Sequence, residues 1–245
     1  MLWRKLRADQ FLVQNGYFES RSKAQAAIKA GKVSVDGVAI TKPSQTISQN
    51  ATVKAEAEHP WVSRGGLKLV GALKTFDISV KDRVCLDIGS STGGFTDVLL
   101  SRGALKVYAV DVGRDQLHSK LRTDDRVVSM ESQDARKLTA DMFDPLPDIL
   151  VCDASFISLA KVIERPLSLM QSGSEAILLF KPQFEVGRKN IGKGGIVKHG
   201  GAIQQVFTKF QDWISRQGWT VIASGTSPIK GGDGNIEYLI NVMKL

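Results

Sequence analysis

The sequence predicts an α/β protein: a parallel-rich, Rossmann-like sheet of seven strands with helices on both faces, preceded by a small basic α+β module. Three observations carry that expectation. Beyond residue 60, seven apolar strand-like runs (VCLDIG, KVYAVDV, RVVSM, DILVCD, EAILLFKP, TVIASGT and EYLINVM) alternate with segments of helical periodicity, the pattern of a sheet covered on both faces. The first run passes through glycines straight into an apolar helical stretch, LDIGSSTGGFTDVLL, which reads as strand, tight bend and helix N-terminus. Upstream of residue 60, two short helices and a hairpin are crowded with lysine and arginine.

Taken in order, residues 6–15 place Leu6, Phe11, Leu12 and Val13 on one helical face, and Gly16 follows as a stop. Ser20 or Ser22 caps a second helix, RSKAQAAIKA, which Gly31 ends. KVSVDGVAI then alternates Val33 and Val35, turns at Asp36-Gly37 and resumes with Val38 and Ile40, which predicts a hairpin. A short strand is expected at Thr52–Ala55, and Pro60 breaks any continuation. These signals place a first domain at 1–58, a linker at 59–64 and a second domain at 65–245. In the first domain Arg4, Lys5, Arg7, Arg21, Lys23, Lys29 and Lys32 face only two acids before residue 35, Asp9 and Glu19. Such an excess predicts a surface for nucleic-acid phosphates.

Composition agrees with a folded, basic protein. Its 245 residues are 42% hydrophobic, and 33 Lys plus Arg against 25 Asp plus Glu leave +8, which favours a polyanionic partner. Cys85 and Cys152 sit in apolar runs with no C-x-x-C and no histidine cluster, so neither a disulfide nor a structural metal is expected. The start carries no apolar signal segment, and no stretch approaches the roughly 20 apolar residues of a membrane span. A cytoplasmic protein without a membrane partner is expected.

The bend discriminates among nucleotide cofactors. A P-loop would put lysine after the second glycine, but Phe95 follows Gly94, so ATP and GTP are disfavoured. The dinucleotide fingerprint needs glycine two places after Gly89, where Ser91 stands. Asp87, just before the bend, would repel a pyrophosphate but suits a cationic ligand such as S-adenosylmethionine. The expected cofactor wall is therefore Asp87, Gly89, Ser90, Ser91, Thr92, Gly93, Gly94 and Phe95. The second run ends in Asp111 and Val112, where the carboxylate can hold both ribose hydroxyls. Asp134, after the third run, either meets an adenine amino group or caps the following helix.

The later runs carry charges at their ends. CDASF lacks the prolines that shape the stacking slot of amino-group methyltransferases. Cys152 and Asp153 point to opposite faces, and Asp153 is the one expected in the cleft. Lys181 ends the apolar strand AILLFK, where burial demands an ion pair or a catalytic use. Glu237 occurs in GNIEYLINVM and Lys68 on the glycine-broken helical run SRGGLKLVGALK.

With these residues in view, the first domain resembles an S4-type RNA-binding domain: D-x-x-L at Asp9 to Leu12, S-R-x-x-A at Ser20 to Ala24, and G-x-V-x-V-x-G at Gly31 to Gly37. The remainder is similar to FtsJ-like ribose 2′-O-methyltransferases, which have a class I methyltransferase sheet. The whole chain resembles the TlyA family of rRNA methyltransferases, often labelled haemolysins, through WVSRGGLKL, STGGFTDVLL, FISLA, KPQFEVG and GNIEY. The resemblance implies S-adenosylmethionine as cofactor and ribosomal RNA or ribosomal subunits as substrate, methylated on a cytidine, with no metal and no stable protein partner. It also implies a catalytic Lys-Asp-Lys-Glu set at Lys68, Asp153, Lys181 and Glu237. A ribose hydroxyl is a weak acid, and a neutral lysine can act as its base or stabilise the alkoxide. Two rival readings are an S4 protein without activity and a pore-forming haemolysin. The missing membrane-spanning stretch opposes the latter.

Overall fold

The computed structural model describes residues 5–198 and 200–245, and the chain divides into two compact units, Met1–Pro60 and Trp61–Leu245. In the first unit β1 (Lys5–Arg7) leads directly into α1 (Ala8–Gln14) and α2 (Arg21–Lys29). They are followed by β2 (Val33–Val35), β3 (Val38–Ala39), β4 (Thr46–Ser48) and β5 (Val53–Ala55). Ser20 caps α2 by accepting the Lys23 N–H at 3.3 Å, and Gly31, at φ +72°, ends it. Asp36 and Gly37, at φ +50° and +81°, make the hairpin turn between β2 and β3, with β5 along the other edge of β2. Phe11, Leu12, Ala24, Ile28, Val33, Ile40 and Ile47 form this unit's core.

One expectation fails here. Leu6, assigned above to the first helix, lies in β1 opposite Ile47 of β4. The partner strand comes from about 40 residues away, and the Ala8 N–H donates to the Gln45 carbonyl at 2.6 Å. A pairing of that range leaves no trace in local periodicity.

The second unit runs α3 (Gly65–Thr75), β6 (Val84–Ile88), α4 (Gly94–Ser101), β7 (Lys106–Val110), α5 (Ser119–Arg122) and β8 (Val127–Met130). It continues with β9 (Ile149–Cys152), α6 (Leu159–Leu169), β10 (Glu175–Phe180), α7 (Pro182–Glu185), α8 (Gly200–Arg216), β11 (Trp219–Thr226) and β12 (Tyr238–Lys244). All seven apolar runs are strands of one sheet, ordered β11-β12-β10-β9-β6-β7-β8. Strands β6 to β10 pair in parallel, while β12 runs antiparallel to both β10 and β11.

Both faces are covered. Leu159, Ile163, Leu167, Phe210 and Ile214 of α6 and α8 pack on one face, and Leu69, Leu73, Phe95, Val98 and Leu99 of α3 and α4 on the other. Strand order reverses between β6 and β9, which opens a crevice at their carboxyl ends where ligands bind in such sheets. Cys85 and Cys152 are free and buried on opposite faces, and burial pushes both thiols up to about 12. They are packing residues.

Candidate active site

Two cavities flank the bend after β6. The smaller, about 510 Å³, runs along the ends of β6 and β7 and is walled by Gly89, Ser91, Asp111, Val112 and Asp134. The larger, about 770 Å³, opens beside it and is walled by Lys68, Asp153, Lys181 and Glu237, with Ser90, Thr92, Gly94 and Phe95. Gly89, Ser91, Asp153, Ser155 and Phe156 border both.

The smaller cavity suits a nucleoside. Asp111 Oδ2 accepts the Ser91 N–H at 2.8 Å and Oδ1 accepts the Gly113 N–H at 2.7 Å, which fixes the carboxylate and leaves each oxygen a further lone pair. Val112 stays 74% exposed on the wall and offers it an apolar face. Gly89, at φ +78°, lies so near β9 that a Cβ would come within 2.9 Å of the Ala154 backbone. A fixed carboxylate, an apolar face and a bare backbone turn fit S-adenosylmethionine; Ser90 Oγ, buried without a hydrogen-bond partner among the described residues, belongs to the larger cavity.

Three expected cofactor residues behave differently. Asp87 borders neither cavity: fully buried beneath the bend, it accepts the Thr96 hydroxyl at 2.6 Å, and burial raises its carboxyl to about 7. It braces α4 from below and does not face the ligand. Gly93 also stands away from both cavities; at φ +94° it starts α4, and a Cβ would run into Leu121 and Leu117. Asp134 does border the cavity, but it caps the 3₁₀ turn Ala135–Lys137 and chelates Arg136 at 2.9 and 2.7 Å, which lowers its carboxyl to about 2. Capping, one of its two readings, is realised.

In the larger cavity four separate segments converge. Lys68 arrives because α3 and α4 start backbone to backbone: a Cβ on Gly66 would meet the Gly94 carbonyl at 3.0 Å and Trp61 at 2.7 Å. Asp153 follows β9 and Lys181 follows β10. Since β12 is antiparallel to β10, with Tyr238 opposite Phe180, Glu237 enters at the same edge. Lys181 Nζ lies 2.6 Å from Asp153 Oδ1, 3.0 Å from the Asp153 carbonyl and 2.7 Å from Ser155 Oγ. Lys68 Nζ lies 2.7 Å from Glu237 Oε2 and 3.6 Å from Asp153 Oδ2. Asp153 thus bridges two buried lysines, and two carboxylates balance two ammonium groups, the condition under which such charges survive burial.

Sequence reasoning assigned no role to several neighbours on this wall. Phe156, 91% exposed at φ +65°, stands 5.3 Å in ring centroids from Phe184. Glu185 of α7 accepts the Ser158 hydroxyl at 2.9 Å and the Leu159 N–H at 2.7 Å, so it caps α6 and ties the Phe156 loop to the Lys181 turn. An aromatic inside a short polar loop, as in CDASF, is the signal that could have found Phe156.

In the first unit Asp9 is buried and accepts from Arg7 at 3.1 Å, Arg21 at 2.9 Å and Gln25 at 2.7 Å, which holds its carboxyl well below the usual range. Arg21 and Gln25 thus brace α2 against α1, while Arg7 and Arg21 stay half exposed. Lys23 pairs with Glu19 at 2.6 Å and Lys32 with Glu56 at 3.7 Å. Lys5 and Lys29 are exposed and make no ion pair among the described residues; Arg4 lies outside them. No cluster able to hold a metal ion occurs among the described residues, and no helix there is long and apolar enough to cross a membrane.

The sheet order, the bend with its fixed Asp111 and the two adjoining cavities define an S-adenosylmethionine-dependent methyltransferase. The chain belongs to the FtsJ-like methyltransferase family, which matches residues 61–244, and the S4 domain matches residues 6–53. It is 43% identical to Hemolysin A of Brachyspira hyodysenteriae, over 96% of this chain and 98% of that protein. It is also 43% identical to the 16S/23S rRNA (cytidine-2′-O)-methyltransferase TlyA of Mycobacterium tuberculosis, over 97% of this chain and 89% of that one. A solved structure from Streptococcus thermophilus with a provisional hemolysin label matches with TM-score 0.77 and 42% identity, over 98% of this chain and 88% of that chain.

Proposed function

We propose that this protein methylates the ribose 2′-hydroxyl of a cytidine in ribosomal RNA, in the cytoplasm, with its S4 domain binding the RNA. The observation that carries the reading is the Lys68–Asp153–Lys181–Glu237 network at the wall of the larger cavity. Asp111, Val112 and the Gly89–Thr92 bend would hold the cofactor, which supplies an electrophilic methyl group. The acceptor ribose then enters the larger cavity, where Phe156 and Phe184 offer ring faces to its base.

The network supplies what a weakly acidic hydroxyl needs. Lys181 Nζ donates to the Asp153 carbonyl and the Ser155 hydroxyl and stands in ion-pair contact with the Asp153 carboxylate. An incoming hydroxyl takes the place of Ser155 Oγ. Once Nζ has passed a proton to Asp153 Oδ1, 2.6 Å away, the neutral amine can take the hydroxyl proton, so the lysine proton goes to Asp153 and not to solvent. Lys68, held by Glu237, adds positive potential beside the developing alkoxide.

The test is a map of ribose methylation across both large ribosomal RNAs in cells with and without the active gene, beside an assay with purified protein. A cytidine 2′-O-methyl that depends on the gene and on Lys181 is expected. Methylation on a base, or no difference between the strains, overturns the reading.

A further inference from the structure

Gln183 is a polar side chain of the larger cavity that stands outside the network. It lies in α7, two residues beyond Lys181, and its Oε1 is buried without a hydrogen-bond partner among the described residues. A buried acceptor with no donor is costly and points to a missing partner. That partner must donate, which excludes a phosphate oxygen. Phe184, the next residue, turns its ring toward Phe156 on the same wall, with centroids 5.3 Å apart and planes tilted by 51°. An amide edge beside aromatic faces is the chemistry that recognises an unstacked nucleobase, stacked on rings and hydrogen-bonded along its Watson–Crick edge.

We propose that Gln183 reads the base of the acceptor nucleotide: Oε1 accepts from cytosine N4–H while the carboxamide N–H donates to N3, which sets a preference for cytidine over uridine. In the amide orientation of the structure, with Oε1 the buried acceptor, uracil presents O4 where cytosine presents N4 and N3–H where cytosine presents N3, so both contacts are mismatched. The inference rests on the cytidine reading above and goes beyond it, because it assigns the choice of base to one residue.

The experiment uses the full-length protein and RNA in which the mapped target nucleotide is cytidine or uridine, compared by single-turnover methyl transfer. The unaltered protein should favour cytidine by about ten- to a hundredfold, the discrimination of one bidentate base contact. Gln183→Leu should bring the two rates within about threefold of each other, with cofactor affinity unchanged. Gln183→Glu, an acceptor only, keeps the contact from cytosine N4–H but loses the one to N3 and gains uracil N3–H, so it too should bring the two rates together. A Leu variant that retains the full cytidine preference overturns the inference, and so does an equal slowing on both substrates in both variants, the mark of a purely structural residue. Failure of the unaltered protein to methylate any cytidine overturns the proposed function instead.

Discussion

Replacing Lys181 by methionine isolates the chemistry from the binding. The change keeps an apolar stem of similar reach while deleting the ammonium that touches Asp153 Oδ1 at 2.6 Å and Ser155 Oγ at 2.7 Å. A general acid–base group contributes about 10²–10⁴-fold in rate, which at 1.36 kcal/mol per tenfold is about 3–5 kcal/mol of barrier. Cofactor affinity should stay within a few-fold, because Lys181 does not border the nucleoside cavity. The fold should lose less than the about 3–5 kcal/mol of a fully broken buried pair, since Asp153 keeps Lys68 at 3.6 Å. Lys181→Arg restores the charge with a planar fork that cannot take up the proton, and should recover stability more than rate. Single-turnover methyl transfer, calorimetric titration of S-adenosylmethionine and urea unfolding separate the three effects. A folded methionine variant with an unchanged single-turnover rate would remove Lys181 from the mechanism, as would one whose cofactor affinity fell as far as its rate.

The other predictions concern stability and RNA. Burial lifts the Asp87 carboxyl from 3.8 to about 7, so the folded state binds the extra proton, and the group's contribution to stability is lost as pH rises from about 4 through 7. Asp87→Asn should flatten that part of a plot of melting temperature against pH, and an unchanged slope would show that Asp87 does not titrate there. Asp9→Asn weakens hydrogen bonds from two half-exposed arginines and should cost the first unit about 1–3 kcal/mol in urea, with an unchanged midpoint counting against the bracing role. RNA affinity should fall steeply with salt. Lys29→Ala should flatten the log–log slope by about 0.7–0.9, and Lys23→Ala, whose amine is held by Glu19, by less; equal slopes in all three proteins would take both lysines off the RNA surface.

The fold was legible where structure is local or periodic. Every strand of the large sheet was visible as an apolar run, and the Asp36-Gly37 hairpin and the Ser20 cap rest on residues adjacent in sequence. What escaped were pairings across distance. The β1–β4 ladder joins segments about 40 residues apart, and Asp9 of α1 collects Arg21 and Gln25 from α2. Asp87 misled for a related reason. A carboxylate before a glycine bend can equally face the ligand or lie beneath the turn, and the choice depended on Thr96 standing 2.6 Å away.

Lys181 and Glu237 were readable as charges in apolar strands, while Lys68 and Asp153 joined them through the family resemblance, and the sequence does not say which charge partners which. That follows from the one antiparallel strand. Had β12 run parallel to its neighbour, Glu237, just before its first residue, would lie at the opposite edge of the sheet from Lys181; reversal brings it beside Lys181 and Lys68. Lys68 is then held by Glu237 and Lys181 by Asp153, with Asp153 spanning the two. The same reversal lets two lysines share a buried wall at close range, since each has its own carboxylate and neither must be neutral for the site to fold. The cavity wall is thereby one of balanced charge, and the Ser155 hydroxyl that Lys181 contacts at 2.7 Å is the neutral partner an incoming hydroxyl group would replace under the proposed function.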